Sequence, residues 1–322
     1  MSLYDKLAKN ENCKKAVRTI RNIKEKRERE KRIKGNYKFI DRKKDNDKLC
    51  IILAGYKSFL WDDVFGRIEK YIPKDIDVCI VSSGLYSEEL ENISEKNDWS
   101  YLSVKQNKVS LVQNIAINLH PNASKIFKID EDIFVTKNFF NKLEETYIKV
   151  EKESNYRIGF VAPLLPINGY ANVRVLKKTN LLEKFEERFG KPYHDGCGEE
   201  PIIQNPDIAK FMWGETEETL RDIDELDKQF AEQEFEYTIC PIRFSIGAIL
   251  FSRKFWEDIG RLKVGIGNNM GKDEEQICEY CMMQSRAIIV SENTIVGHFS
   301  YGPQTSEMKK YYESHRDIFK LK

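Results

Sequence analysis

The 322-residue chain contains no run of about 18 apolar residues, so no part of it reads as a helix spanning a membrane. Its first residues, MSLYDKLAKNENCKK, lack the apolar core of a secretory signal. An excess of charge is missing too. The 53 Lys+Arg and 52 Asp+Glu leave a net charge of +1, which argues against a generally basic nucleic-acid binder. No phosphate loop is present: Gly265 and Gly271 stand one residue too far apart, and Lys272 is followed by Asp273 where Ser or Thr belongs. Histidine is scarce, at four residues. The seven cysteines are odd in number, and several sit in apolar, strand-like runs, so reduced buried thiols and a cytoplasmic location are expected. Cys278 and Cys281 form C-x-x-C within a helical pattern, with no second pair, and Cys197 and Cys240 are too isolated to complete a zinc site. What is abundant is aromatic (15 Tyr, 18 Phe, 4 Trp), which excludes a disordered chain. The length suits one large domain or two fused lobes with a core that needs no disulfide.

The even charge balance hides an uneven distribution. Residues 1–47 hold 17 Lys/Arg against 8 Asp/Glu, and the remainder holds 36 against 44. Within this basic arm, Leu3, Leu7, Val17, Ile20 and Ile23 fall at roughly helical spacing, whereas KEKREREKR (24–32) has no apolar residue. The pattern predicts a helix docked by its first half and solvated in its second. Three roles stay open for it: a charged surface helix, a peripheral contact with anionic lipid headgroups, or pairing with the acidic segment 215–236, where ten Asp/Glu face Arg221 and Lys228.

Past the arm, KLCIILAG (48–55), DVCIVSSG (77–84), WSYLSVKQN (99–107) and KIFKIDEDIFV (125–135) read as strands. Helical stretches at 61–71, 87–96 and 110–119 separate them. Strands alternating with helices predict βαβ units and a parallel sheet. The second half is less regular. RIGFVAPLLPINGY (157–170), ANVRVL (171–176), FSIGAILFS (244–252) and IIVSENTIVGHFSYG (288–302) read as strands with loops; 177–190, 215–234, 253–262 and 273–287 read as helices. GIGNNMG (265–271) reads as a loop. The organisation expected is a basic arm (1–47), a first half (48–150), a second half (151–302) with an acidic helical insert at about 177–236, and a basic tail (303–322).

Candidate chemistry gathers at three places. Asp130-Glu131-Asp132 ends a strand, where open α/β sheets bind ligands. Alternate residues of an extended chain point the same way, so Asp130 and Asp132 can face one hard cation, Mg2+ or Mn2+, of the kind that neutralises a diphosphate. A calcium loop is excluded because Phe134 and Val135 stand where a further ligand and a glycine are required. The second place is Asp273-Glu274, at the start of a helix. Asp273 is expected to be the N-cap and to form a capping box with Gln276, and acids in a first turn suit the helix dipole. The third is His298, in VGHFS, whose imidazole could ligate a metal or serve structure alone.

Taken together, KLCIILAGY, DVCIVSSG, SLVQNIAINLHPNASKIFKIDEDIFV and GAILFSRKFWEDIG…KDEEQ…VGH resemble a glycosyltransferase of the GT-A fold, in the style of its large family-2-like group. The resemblance covers roughly residues 48–302 and rests on order and spacing. It implies an α/β, Rossmann-type, mostly parallel sheet flanked by helices, with a mixed acceptor-side lobe. It also implies a divalent metal cofactor (Mn2+ or Mg2+), held by Asp130, Asp132 and His298, and a nucleotide-sugar donor, UDP above all. Asp130 and Glu131 would contact that donor. So would Ala54, Gly55 and Tyr56 at the first strand's exit, with Ser82, Gln113 and Asn114, and Lys105 and Lys108 would offset diphosphate charge. In the family a Glu-Asp pair precedes this helix and its second carboxylate is the general base, a place that falls on Glu274; here the pair is reversed, so Asp273 is the rival. The acceptor would be a hydroxyl on a glycan, lipid or protein, and a base favours inversion. Alternatives are a sugar nucleotidyltransferase, whose Gly-rich, Arg-containing first loop is absent from AGYKSF, and a non-catalytic nucleotide-sugar-binding relative.

Overall fold

The computed structural model describes residues 11–322 apart from 197, 199, 268 and 270. Eleven strands are found there: β1 (Tyr37–Ile40), β2 (Lys48–Leu53), β3 (Ile76–Ser83), β4 (Ser100–Val104), β5 (Lys125–Asp130), β6 (Ile133–Phe134), β7 (Arg157–Leu164), β8 (Tyr237–Ile239), β9 (Ala248–Ser252), β10 (Arg286–Ile295) and β11 (Gly297–His298). Nine form one sheet in the order β1-β4-β3-β2-β5-β9-β7-β10-β8, and β6 with β11 forms a second, two-stranded one. The α/β class follows: a mixed sheet with helices packed against it.

The first half is a regular parallel block. β2 pairs with β3 and β5, and β3 with β4, all parallel. Their near-continuous apolar sequences are what a strand covered on both faces requires, and all eight residues of β3 are buried. Helix Trp61–Tyr71 buries Trp61, Val64, Phe65 and Ile68 at helical spacing, and helix Val109–Leu119 is buried over most of its length. The second half mixes directions: β9 runs antiparallel between β5 and β7, while β10 is parallel to β7 and antiparallel to β8. All four parallel strands β2, β3, β4 and β5 end on one edge of the sheet, and the candidate site lies there.

Several expectations change. Residues 171–176 are not a strand: Ala171–Lys178 is a helix, started by the Asn168 side chain accepting from the Tyr170 and Ala171 amides. Its apparent alternation is also an i, i+4 pattern, with Ala171, Val175, Asn172 and Leu176 buried. Only Leu182–Phe189 of 177–190 continues as a second helix, after a turn at Asn180 (φ 57). The acidic stretch splits into Glu218–Arg221 and Ile223–Ala231, because Asp222 leaves helical geometry to cap the second piece. Two helices not foreseen, Pro201–Gln204 and Pro206–Met212, each carry proline in the first turn.

The arm docks the opposite way from its expected sense. Along helix Glu11–Lys31, Val17 (65% exposed), Ile20 (66%) and Ile23 (48%) face solvent. The helix is held at its C-terminal end instead. Arg32 Nη1 donates to the Gly260 and Arg261 carbonyls, at 2.8 and 2.9 Å, and Arg261 Nη1 returns a bond to the Arg29 carbonyl at 2.8 Å. The apolar residues there are too few to bury, and guanidinium–carbonyl bonds do the holding. Leu3, Leu7 and Cys197 lie outside the described residues. The acidic insert is paired with other partners: Lys184 with Glu217, Arg188 with Glu215, buried Arg67 with Asp224, and Lys322 with Asp222. Residues 305–319 form helices that place Met308, Tyr312 and Phe319 in the core.

Candidate active site

A cleft of about 370 Å3 opens at the carboxyl edge of the sheet. Its near wall carries Ala54, Tyr56, Lys57, Ser83, Asp130, Glu131 and Asp132, and its far wall carries Asn168, Ser245, Glu274, His298 and Tyr301. The near wall is assembled by one side chain. Buried Glu131 accepts from the Gly55 and Tyr56 amides, at 2.9 and 2.8 Å, and from the Trp61 indole at 2.7 Å. These three donors engage both carboxylate oxygens and fix the β2 exit against the β5 exit. Tyr56 extends from that exit with its hydroxyl donating toward Ser83 O and Asn107 Oδ1, and its ring is 60% exposed.

The far wall reaches the acidic step through the two-stranded sheet. Gly297 pairs with Phe134 and His298 with Ile133, and the Phe299 amide bonds to the Asp132 carbonyl. Residues far apart in sequence are thereby side by side. Gly297 is required there, since a Cβ would meet the Trp213 ring at 2.4 Å, while the Trp213 indole donates to the His298 and Phe299 carbonyls. His298 Nδ1 lies 2.7 Å from Ile167 O, which can only accept. Its Nε2 lies 3.6 Å from Asp132 Oδ2.

Electrostatics divide the two aspartates. Burial pushes the Asp130 carboxyl up to about 6, with the Lys128 ammonium at 2.6 Å opposing this and Asp132 and Asp273 adding to it. Burial also works against charge on Asp132, but the Lys57 ammonium and His298 outweigh it and hold that carboxyl well below the usual range. Tyr301 is pushed up to about 12 by burial and shares a 2.5 Å bond with Ser245.

Asp130 and Asp132 thus meet at the cleft with His298 facing Asp132. Among the described residues no three His, Cys, Asp or Glu side chains surround one point as a metal cage would. The residues still fit a cation held through one or two carboxylates and completed by phosphate oxygens, because Asp130 and Asp132 both line the cleft and His298 Nε2 stands 3.6 Å from Asp132 Oδ2.

Of the base candidates, Glu274 lines the cleft, with its Oε1 accepting from Arg243 Nε at 2.6 Å. Asp273 does not line it, accepting instead from Gln113 Nε2 at 2.8 Å. Asp273 is not the N-cap either. Lys272 occupies that position, and Gln276 makes no capping box because its amide is drawn to the Ile259 and Arg261 carbonyls and the Lys263 amide. Ser82, Gln113 and Asn114 sit behind the wall. Ser82 bonds to Leu85 O and Tyr101. Asn114 ties Arg32 O, Leu262 and Trp256 together. Lys108 donates to Gly267 O and Asn269 O in the adjacent loop, and Lys105 borders a separate depression with Tyr37 and Tyr86.

Sequence reasoning missed Lys57, Asn168, Arg243, Ser245 and Tyr301. Lys57 directly follows a strand exit already singled out, and that adjacency was its available signal. The others are brought in by long-range pairing and carry none.

No protein-family model matches the chain, and no curated protein matches it in sequence. Among solved structures it is similar to a mannosyltransferase of Pyrobaculum calidifontis in complex with GDP-mannose and Mn2+, with a TM-score of 0.45 and 12% identity over 88% of this chain and 66% of that one. It is similar as well to a mycobacterial protein (TM-score 0.41, 11% identity, 81% and 70% covered) and to residues 1–349 of S. aureus TarS (0.43, 11%, 84% and 64%). The chain thus spans no more than 70% of any of the three.

Proposed function

We propose that the protein is a glycosyltransferase that moves a sugar from a nucleotide-diphosphate donor, with UDP the expected nucleotide, to an acceptor hydroxyl on a glycan, lipid or protein. The observation that carries this reading is the facing of Asp132 and His298 across one cleft that Glu274 also lines. Asp130, Asp132 and His298 would hold a divalent cation, Mn2+ or Mg2+, which supplies Lewis-acid stabilisation of the leaving diphosphate. The protein's own groups supply the rest. The exposed Tyr56 ring offers a face on which a nucleobase can stack. Lys57, seated on Asp132, keeps that carboxylate charged and adds a cation beside the diphosphate position.

Glu274 takes the proton from the acceptor hydroxyl as the new glycosidic bond forms and the bond to the diphosphate breaks. A base on the acceptor side corresponds to inversion. Arg243 orients this carboxylate through a single bond, to its Oε1. The cytoplasmic location expected from the cysteines belongs to the same proposal: Cys50, Cys79, Cys240, Cys278 and Cys281 are buried free thiols, and burial pushes Cys281 up to about 12.

The test is a panel of nucleotide sugars, UDP- and GDP-linked, scored for hydrolysis and transfer with and without Mn2+. One donor should turn over in a cation-stimulated manner, and Asp132→Asn should remove the stimulation. Calorimetric affinity for UDP with Mn2+ that is unchanged in Asp132→Asn would remove the central assignment.

A further inference from the structure

We propose that the first half of the arm helix is a docking surface for an anionic lipid bilayer, with its C-terminal end as the hinge post on the body. Between Glu11 and Glu25 the helix contains no acid, while Lys14, Lys15, Arg18, Arg21 and Lys24 supply five cations. On the same stretch Val17, Ile20 and Ile23 recur every third residue, which confines them to one arc of the helix, and all three are exposed. An apolar arc flanked by Lys and Arg is the arrangement that lies in the plane of a membrane interface.

The second half is built differently. Its charges alternate and pair along the helix, as Lys31 with Glu28 at 2.9 Å, and Arg21 reaches forward to Glu25 at the same distance. Its end is fixed to the body by the reciprocal Arg32–Gly260 and Arg261–Arg29 bonds, and the Arg32 carbonyl is further held by Asn114. The side turned to the body, at Ile259 and Gly260, is formed by Arg21, Lys24, Glu25, Glu28, Arg29 and Arg32, and Val17, Ile20 and Ile23 are not part of it.

Charge selects among occupants. A second copy laid along the same stretch would set five cations against five. Nucleic acid would use the cations but has no need of exposed Val and Ile. Anionic headgroups over an acyl boundary take both.

The test uses the full chain in sedimentation with vesicles of phosphatidylcholine alone or with a third of phosphatidylglycerol. Binding should require the anionic lipid and fade as salt shortens the Debye length to about 3 Å. Each charge removed should weaken partition about five-fold, so Lys15→Gln, Arg18→Gln and Lys24→Gln together should cost about a hundredfold. Val17→Ser with Ile20→Ser, all cations retained, should cost about tenfold. Ile20→Trp should report insertion by a blue-shifted emission on anionic vesicles. All these positions are solvent-exposed, so the fold is not at stake. Three results would each overturn the assignment: no preference for anionic vesicles, full binding by the Ser variant, or a concentration-dependent dimer that Ile20→Ser dissolves.

Discussion

On one wall of the cleft, Glu131 gathers two backbone amides and an indole where β2 and β5 already lie side by side. On the other, Glu274 is steadied by the Arg243 guanidinium, and His298 by the Ile167 carbonyl and a two-residue ladder. The near wall is therefore part of the sheet's own stability. The far wall is a set of groups from a helix start, a two-residue strand and loops, positioned one bond at a time. Substitution of Glu131 should register mainly in folding, and substitutions on the far wall mainly in rate.

The largest effect is expected from the far wall. Glu274→Gln should lower transfer by about 10²–10⁴-fold through loss of the proton acceptor, with donor affinity and melting temperature unchanged. Loss of stability in that variant would put the two walls on the same footing. Glu131→Gln should give the reverse pattern, costing about 3 kcal/mol in urea unfolding because buried donors lose a charged partner. The midpoint should fall with the slope unaltered. Asp132→Asn should weaken Mn2+-dependent nucleotide binding by roughly thirtyfold, the equivalent of about 2 kcal/mol for one charged contact.

A smaller effect concerns pH. The folded chain binds a proton at Asp130 up to about pH 6, above the ordinary Asp value in the unfolded chain. Between those values the folded state holds more protons, so stability falls as pH rises. Melting temperatures across that window should decline more steeply in the native protein than in Asp130→Asn. The smallest effect is expected for Asp273→Asn, which keeps an acceptor for Gln113 and should change transfer only a few-fold. If Asp273→Asn is the inactive variant and Glu274→Gln works, Asp273 is the base.

The near wall was legible because its strands are fully covered and hence apolar throughout; KLCIILAG and KIFKID announce both their positions and their shared edge. The far wall was legible only in fragments. Asp273-Glu274 and His298 stood out by type, yet Asn168, Ser245 and Tyr301 gain meaning only when β9, β10 and β11 are in place. Helix Ala171–Lys178 was hidden because VRV alternates like a strand while its burial follows four-residue spacing. Helix Pro206–Met212 left a readable sign in Asn205-Pro206, a cap followed by a first-turn proline. The arm misled because three apolar side chains suggested burial, whereas its anchoring depends on arginine reaching carbonyls that no local pattern reveals.

The four residues of β1 follow the arm helix after a short connection, 32–36, and pair in antiparallel register with β4. All five residues of β4 are buried, and its other neighbour is β3. A chain shortened to begin at Lys48 would strip this cover and leave a row of open amides and carbonyls beside apolar side chains, a template for strands of other molecules. Such a truncation would aggregate before it reported on any binding partner, so the arm protects the sheet's edge as well as extending from it.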